Sequence, residues 1–264
     1  MHIFSVFFFL FGLCIGSFLN VVVLRHNTGL GISRERSMCF TCGRTIPWYE
    51  NMPVLSFLLL RGRCSVCGAR ISLQYPAVEL LTGLLFLSIW LFIGDTTPIA
   101  FAKVLYYNTI FSLLIVILVY DIKHKIIPNI FVYSFAFLAL FGLIVSSQEN
   151  TTFLLDILAG PLFFAPFYLL WFFSGGKWIG LGDGKLALGI GWMLGLVYGL
   201  SAIVLSFWIG ALVGIVLIVF NKLTFGYFLH ISMKSEIPFA PFLILSVVIE
   251  FFWALDIVGI SALI

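Results

Sequence analysis

The sequence predicts an all-α, polytopic membrane protein with about eight transmembrane helices and a small cytoplasmic loop domain that binds a metal. Three observations predict this fold. The 264 residues are 62% hydrophobic and only 9% charged, whereas a soluble domain is about 25% charged. Apolar runs recur at close to the roughly 20 residues that a helix needs to cross a bilayer. Four of the five cysteines form two C-x-x-C pairs in the one long polar segment.

The apolar runs predict where the chain crosses the membrane. The eight predicted spans cover residues 3–24, 77–94, 99–119, 128–147, 153–173, 186–200, 202–220 and 239–262. The first run could be a signal peptide, but its first arginine, Arg25, follows it, and the run is long for a signal sequence. We therefore predict a retained span. The sixth and seventh spans share one apolar stretch, and a turn is predicted between them at residues 198–201.

The positive charges indicate the orientation. If the N-terminus lies outside, the cytoplasmic segments are 25–76, 120–127, 174–185 and 221–238. These segments hold 13 of the 14 Lys and Arg residues, and only Lys103 falls toward the other side. Cytoplasmic loops are expected to be rich in Lys and Arg. The pattern therefore supports eight spans, with the chemistry of the protein facing the cytoplasm.

The cysteines predict a metal site in the first cytoplasmic segment. Cys39 and Cys42 form one pair, Cys64 and Cys67 form the other, and a glycine follows each. Two such pairs close a tetrahedral four-sulfur site without an open position, which is typical of structural zinc. Two disulfides or free thiols are the alternatives, and disulfides are disfavoured in a cytoplasmic loop. A loop with few apolar anchors would gain much of its order from the metal.

The predicted domains follow from these assignments. Residues 1–24 form the first transmembrane helix, and residues 25–76 form a cytoplasmic four-cysteine zinc-binding domain. Residues 77–264 form a seven-helix membrane domain that carries the two acids of greatest interest.

These two acids lie at the cytoplasmic ends of predicted spans. Asp121 ends the third span, and Asp183 opens the sixth within the sequence GLGDGK. Two carboxyl groups that meet near the lipid boundary cannot easily both ionise, so they tend to share a proton and can activate a water against a peptide carbonyl. The neighbouring glycines would let a substrate backbone approach. The alternative is an ordinary solvated charge beside lysines, and spacing alone does not show that the two spans touch.

Further motifs run along nearly the whole chain. They are GSFLNVV at 16–22, WYEN-x-P at 48–53, YP-x-VE-x-x-TG at 75–83, D-x5-IP at 121–128, G-x-GD-x-K at 180–185 and IPF-x-PF at 237–242. In this order, and together with the cysteine pairs, they closely resemble the type IV prepilin peptidases. This family of GxGD-type aspartic proteases is also called the prepilin leader peptidase/N-methyltransferases. Ala240 stands where the family motif has glycine.

The resemblance implies a function with two activities. Asp121 and Asp183 would be the catalytic aspartates that cut the basic leader from type IV prepilins or type II secretion pseudopilins, just after a glycine. N-methylation of the new N-terminus by S-adenosylmethionine would follow, and the zinc loop accompanies that activity in the family. Glu50, Glu79 and Gly83 match family motifs and are predicted to contribute to the methyl-donor site. The implied location is the bacterial cytoplasmic (inner) membrane, with no nucleic acid partner.

Two other classes of function remain open at this point. A proton-coupled transporter with a regulatory zinc module would also carry intramembrane acids, but it would be favoured by internal repeats, and none is convincing here. A non-catalytic, metal-stabilised assembly factor is the third option. Within the peptidase hypothesis, we expect Lys123, Lys125 or Lys185 to help position an acidic residue of the substrate.

Overall fold

The computed structural model describes residues 2–28, 31, 36–146, 153–223 and 237–259. Within these ranges the regular structure is helical, apart from two isolated bridge pairs in the polar segment. The α-helices are α1 (His2–Arg25), α2 (Leu55–Leu59), α3 (Gln74–Ile93), α4 (Pro98–His124), α5 (Asn129–Ser146), α6 (Phe153–Ser174), α7 (Leu181–Leu223) and α8 (Ala240–Trp253). The all-helical membrane fold is therefore confirmed.

The described part of the chain contains six helices that are long and apolar enough to cross a membrane, namely α1, α3, α4, α5, α6 and α7. Helix α8 is apolar but has only 14 residues. At about 1.5 Å per residue it is roughly 21 Å long, which is shorter than the roughly 30 Å hydrocarbon core of a bilayer. The last predicted span, 239–262, is thus a shorter helix than expected, and residues 260–262 lie outside the described ranges.

Helix α7 contains both the sixth and the seventh predicted spans. Its 43 residues are interrupted at Gly195, which has φ 74° and ψ −172°. A Cβ built on Gly199 would lie 3.5 Å from the Cα of Gly191. In a straight helix, two residues eight apart are separated by about 12 Å. The chain therefore turns back at Gly195, three residues before the predicted turn.

A carboxylate from the preceding helix stabilises this turn. The backbone N–H of Leu196 donates to Oδ1 of Asp156 at 3.1 Å, which satisfies one of the free N–H groups where the second half of α7 begins. Asp156 lies in the first turn of α6. From the sequence it is only an acid near the outer face, but in the structure it caps a helix.

The chain forms two compact units, residues 1–119 and residues 120–264. In the first unit, α1 packs along α3. A Cβ on Gly12 would lie 2.8 Å from the Cα of Gly83, so small residues permit the close approach, as in other membrane helix pairs. Buried Asn20 donates from Nδ2 to the carbonyl of Tyr75 at 3.2 Å. This bond joins the end of α1 to the start of α3, so the two ends of the polar segment are held together.

In the second unit, α7 contacts α5, α6 and α8. The backbones of α7 and α6 approach closely, since a Cβ on Gly191 would lie 2.7 Å from the backbone N of Gly160. Trp192 adds a hydrogen bond from its indole Nε1 to the carbonyl of Ile157 at 3.0 Å. Helix α7 is therefore the central element against which the rest of this unit packs, and it carries Asp183 in its first turn.

Candidate functional site

Asp121 lies in the last turn of α4, where the helix ends with a left-handed residue. The N–H of Lys125 donates to the carbonyl of Asp121 at 2.7 Å, and Lys125 itself has φ 54°. The residues that follow, Ile127 and Pro128, lead directly into α5. The side chain of Asp121 is buried, with only 5% of the residue exposed. A buried carboxyl group at a helix end is costly unless its surroundings stabilise it.

Asp183 is oriented by the start of its own helix. The N–H of Asp183 donates to the carbonyl of Gly180 at 3.2 Å, and the N–H of Gly180 donates back to the carboxyl of Asp183. The bond to the Asp183 carboxyl is the half of a capping box in which the acid three residues after the cap residue satisfies the cap N–H, and the other bond is an ordinary backbone turn bond. The Gly180 N–H thereby holds the half-buried carboxyl of Asp183 in a defined direction at the beginning of α7.

The structure brings the two predicted acids together. The carboxyl groups of Asp121 and Asp183 lie close enough for the charge of Asp121 to act on Asp183. The backbone N–H of Ala240, at the start of α8, donates to the carboxyl of Asp121. The Oδ2 atom of Asp121 is buried and has no hydrogen-bond partner among the described residues. Because buried polar atoms are almost always partnered, this oxygen is a candidate position for a reactant or a shared proton.

The start of α8 is a part of the site that sequence reasoning did not identify. Ala240 is fully buried, and the ring of Phe239 packs on Phe207 and Phe167 at centroid distances of 4.9 and 6.3 Å. These ring contacts hold the end of α8 so that the Ala240 N–H reaches Asp121. In the sequence, the motif at 237–242 was the only indication that this segment matters, and no function could be assigned to it.

The glycines around Asp183 serve mainly internal packing. A Cβ on Gly182 would lie 2.8 Å from Cβ of Ile127, and a Cβ on Gly184 would lie 3.0 Å from Cβ of Phe167. The expectation that they leave room for a substrate strand is therefore wrong for these two residues. Gly180 is exposed, and the atom nearest to its Cβ position is Oδ2 of Asp183, at 3.4 Å. For Gly180 the expectation stays a prediction.

A fixed positive charge accompanies Asp183. The Nζ atom of Lys185 donates to Oδ1 of Asn129 at 2.7 Å and lies 5.0 Å from the ring centroid of Tyr133. Lys123 and Lys125 are exposed at the end of α4. Of the three lysines expected to position substrate, Lys185 is thus the one whose ammonium group the structure holds in place.

In the first unit, the four predicted cysteines converge. The Sγ atoms of Cys39, Cys42, Cys64 and Cys67 all lie within 4.8 Å of one another, and those of Cys39 and Cys67 are 3.8 Å apart. A tetrahedron with zinc–sulfur bonds of about 2.3 Å has sulfur–sulfur edges of about 3.8 Å. The cluster therefore fits a four-sulfur metal site, with one metal shared by both pairs.

Backbone groups prepare the cluster for metal binding. Hydrogen bonds from the backbone of Cys42 and Thr41 lower the pKa of the Cys39 thiol to about 6. Backbone bonds from Cys67 and Val66 lower the pKa of Cys64 in the same way. At Cys67 the N–H of Ala69 also acts to lower the pKa, but burial and the neighbouring thiols raise it to about 11. A metal ion binds thiolates, so the first cysteine of each pair is already disposed to ligate one.

A cavity of about 240 Å³ adjoins the cluster in the same unit. Two acids line it, Glu50 from the short helical turn Trp48–Glu50 and Glu79 from α3. Glu79 is buried, and its Oε2 accepts the N–H of Val54 at 2.7 Å. The cavity has mainly apolar walls with a few polar groups and lies next to the cysteine cluster. Cavities of this kind bind small ligands.

The third residue predicted for the donor site lies elsewhere in this unit. A Cβ on Gly83 would lie 2.8 Å from Cδ2 of Leu13 on α1, and Gly83 is not among the residues that line the cavity. Gly83 therefore lies at the contact between two helices, where the absence of a side chain lets them pack closely. Glu50 and Glu79 face the cavity together, whereas Gly83 permits the approach of α1 to α3.

Comparison with known proteins matches both units. The model of the bacterial peptidase A24 N-terminal domain matches residues 10–93, and that of the type IV leader peptidase family matches residues 109–215. The prepilin leader peptidase/N-methyltransferase of Bacillus subtilis is 37% identical over 234 residues, which cover 88% of each chain. The protein of the same name from Vibrio cholerae is 30% identical over 265 residues, covering 95% of this chain and 97% of that one.

A third relative of the same name, from Myxococcus xanthus, is 48% identical over 126 residues, which are 48% of this chain and 36% of that protein. No solved structure matches. The alignments to the other two relatives are long and nearly complete, and they extend over most of both units. The chain therefore belongs to the type IV prepilin leader peptidase family.

Proposed function

We propose that this protein is a membrane aspartic endopeptidase that removes the leader of type IV prepilins, and that it then N-methylates the new N-terminus. Family membership supports both halves of this function. The observation that carries the peptidase half is the pair of Asp121 and Asp183 carboxyl groups at the end of α4 and the start of α7. Pseudopilins of type II secretion are proposed as further substrates, because they share the leader chemistry that the family recognises.

The proposed cleavage uses one ionised and one protonated carboxyl. The ionised group takes a proton from a water held between the pair, and that water attacks the carbonyl carbon of the scissile bond. The protonated group donates to the carbonyl oxygen, where negative charge develops. The tetrahedral intermediate then collapses and the C–N bond breaks: the carboxyl that took the water's proton gives it to the leaving amine, and the other carboxyl recovers its proton from the hydroxyl as the new carboxyl group forms. The N–H of Ala240 holds Asp121, and the N–H of Gly180 holds Asp183 during these steps.

For methyl transfer, we propose that Cys39, Cys42, Cys64 and Cys67 hold a structural zinc. S-adenosylmethionine, which supplies a methyl group on an electrophilic sulfonium, would occupy the adjacent cavity. Glu50 and Glu79 are the carboxylates that line this cavity and could hold the polar groups of the donor. Gly83 would contribute only by allowing α1 and α3 to approach each other.

The charge pattern supports a proposed orientation. The protein is a multi-pass membrane protein, consistent with the bacterial inner membrane. We place the N-terminus outside and both reactions at the cytoplasmic face, because 13 of the 14 Lys and Arg residues fall in segments on that side. The substrate would approach with its hydrophobic helix in the bilayer and its basic leader in the cytoplasm.

A reconstituted reaction tests this function. The full-length protein, purified in detergent, is incubated with a prepilin, with and without S-adenosylmethionine, and the products are identified by mass spectrometry. We expect a cut directly after the glycine that ends the leader, and a mass gain of one methyl group at the new N-terminus only when the donor is present. Intact prepilin after prolonged incubation would exclude the peptidase, and an unmethylated product would exclude the transferase.

A further inference from the structure

The two metal-binding loops of the first unit are structural copies of each other. Residues 39–44 form one loop and residues 64–69 form the other, and we call them the first and second knuckle. In each, the N–H of the first residue donates to the carbonyl of the sixth, at 2.9 and 2.8 Å. The fifth residue is glycine in both, and its N–H donates to the first carbonyl at 2.9 and 3.0 Å. The backbone geometry that presents the thiolates is therefore the same in the two knuckles.

The side chains of the two knuckles differ at the second, third and sixth positions, and the second and sixth carry the polar side chains of interest here. The sixth residue is Arg44 in the first knuckle but Ala69 in the second, and the second residue is Phe40 in the first knuckle but Ser65 in the second. Because both knuckles have the same backbone bonds, neither Arg44 nor Ser65 is required to form a knuckle. Their side chains are thus available for another role.

Arg44 of the first knuckle and Ser65 of the second hydrogen-bond to the same carboxylate, that of Glu50. The guanidinium of Arg44 donates from Nη1 to Oγ of Ser65 at 2.6 Å and from Nη2 to Oε1 of Glu50 at 3.0 Å. The Ser65 hydroxyl lies 3.0 Å from Oε1 and 2.9 Å from Oε2 of Glu50, to which it donates. The bond to Glu50 raises the pKa of the Arg44 guanidinium above its ordinary value. We call these three residues the clamp.

The backbone around Glu50 offers little other support for its side chain. Glu50 belongs to a single helical turn, Trp48–Glu50, which has no side-chain cap. The other two residues of this turn, Trp48 and Tyr49, are 79% and 56% exposed. The side chain of Glu50 is only 15% exposed, and Glu50 lines the 240 Å³ cavity. The clamp therefore determines where this carboxylate stands at the cavity wall.

We propose that Arg44 and Ser65 are positioning residues for methyl transfer, which hold Glu50 at the wall of the methyl-donor cavity. This inference rests on the proposed methyltransferase function. Ser65 lies between two candidate ligands, Cys64 and Cys67, and Arg44 follows the first knuckle's glycine. The clamp closes only when the two knuckles are held side by side, as a shared metal would hold them. Affinity for the donor thus depends on the metal through the position of Glu50.

The experiment compares four variants of the full-length protein in detergent: Arg44→Gln, Arg44→Lys, Ser65→Ala and, as the matched control, Arg63→Gln. Arg63 is an exposed arginine of the same segment that does not line the cavity. Three quantities are measured for each: bound metal per chain, the Kd of radiolabelled S-adenosylmethionine by equilibrium dialysis, and the rate of leader cleavage.

We expect Arg44→Gln and Ser65→Ala to keep the metal and the cleavage rate while the Kd of the donor rises about tenfold, because each loses charge-assisted hydrogen bonds to Glu50. Arg44→Lys should recover part of the affinity, since its ammonium can reach Glu50 but cannot bridge two partners at once. Arg63→Gln should bind the donor as the unmodified protein does.

Two results would overturn the inference. Unchanged donor affinity in Arg44→Gln and Ser65→Ala would show that the clamp does not position Glu50. Loss of the metal in these variants would show that Arg44 and Ser65 only stabilise the knuckles. If the unmodified protein itself binds no S-adenosylmethionine, the proposed methyltransferase function fails and the inference fails with it. That failure is recognised from the unmodified protein alone, whereas failure of the inference requires the unmodified protein to bind the donor and the variants to bind it equally well.

Discussion

The residues that flank Asp183 determine how a substrate can be held beside the paired carboxyls. Lys185 is two residues from Asp183, and its ammonium is fixed by Asn129 and by the ring of Tyr133. A cation with a fixed position at this end of α7 would attract an acidic side chain of the substrate. An exposed ion pair contributes little binding free energy. We therefore expect the loss of Lys185 to weaken substrate binding modestly and to leave the chemical step unchanged.

We predict that Lys185→Gln raises the KM for a prepilin about two- to fivefold and leaves kcat nearly unchanged, as loss of one partly exposed ion pair implies. The measurement is steady-state cleavage of a prepilin and of a version with its acidic residues replaced by amides. Lys177→Gln, in the exposed loop before α7, is the control. Equal KM values for Lys185→Gln and the unmodified protein would exclude this role.

At the scale of residues, the sequence was sufficient to choose the chemical groups but not their contacts. The four cysteines could be grouped from residue type and spacing, because a four-sulfur site requires those groups in that pattern. Asp121 and Asp183 were paired only through the resemblance to the family, and their catalytic role stays a prediction. The N–H of Ala240 could not be identified, since a backbone donor has no signature in the sequence. The wrong reading of Gly182 has a similar cause, because only the structure shows that Ile127 fills the space where its side chain would be.

At the scale of elements, the reversal inside α7 depends on one glycine. Gly195 has φ 74° and ψ −172°, a conformation that costs a residue with a side chain about 1–3 kcal/mol. A Cβ there would also lie 2.6 Å from Oδ1 of Asp156, which caps the second half of the helix. Both effects oppose any side chain at this position.

We therefore predict that Gly195→Ala lowers the midpoint of thermal unfolding in detergent by several degrees. Gly214→Ala is the matched control, because Gly214 lies in the same helix and a Cβ there would meet no atom within 4 Å. Alanine is the better helix former, so the control should be neutral or slightly stabilising. Identical midpoints for the two variants would show that the chain does not turn at Gly195.

The elements also show the limit of predicting spans from hydropathy. The long apolar stretch predicted a reversal of the chain, and the structure has one, but the turn was placed at residues 198–201 because polar and small residues there resemble a turn. That each half crosses the membrane stays a prediction. The turn is at Gly195 instead, where the Asp156 carboxylate from another helix satisfies the free N–H of Leu196. Such a contact is tertiary, so no local pattern in the sequence could reveal it.

At the scale of the whole molecule, the two proposed activities use different units. The cysteine cluster and the cavity lie in residues 1–119, and both candidate catalytic aspartates lie in residues 120–264. A metal that orders the polar segment contributes its binding free energy to the fold of that segment. Its removal should therefore affect methyl transfer far more than cleavage.

We predict that Cys39→Ser together with Cys42→Ser abolishes metal binding and methylation, while leader cleavage falls by less than about tenfold. Metal content, methylation of a pre-cleaved pilin and cleavage are measured on the same preparation. Cys14→Ser is the control, because Cys14 is an exposed thiol of α1 outside the cluster. If cleavage declines in step with methylation, the two activities are not separable in this way.

The sequence predicted the fold class of the whole molecule more completely than it predicted any single binding or catalytic site. The low charged fraction and the recurring apolar runs are properties of the entire chain, so they do not depend on individual span boundaries. The placement of Lys and Arg on the cytoplasmic side stays a prediction. The cavity proposed to bind the methyl donor could not be predicted from the sequence, because it depends on how α1, α3 and the polar segment pack. Glu50 and Glu79 line it, whereas Gly83, chosen on the same motif evidence, lies against α1.

The most direct test of the central claim is the cleavage rate of one prepilin by the unmodified protein, by Asp121→Asn, by Asp183→Asn and by the double variant, all in the same detergent. If the two carboxyls act as a unit, each single variant loses at least about a thousandfold in rate and the double variant is no slower than the singles. Retained methylation of a pre-cleaved pilin would show that the variants are folded. Cleavage at the unmodified rate by either single variant would contradict the account.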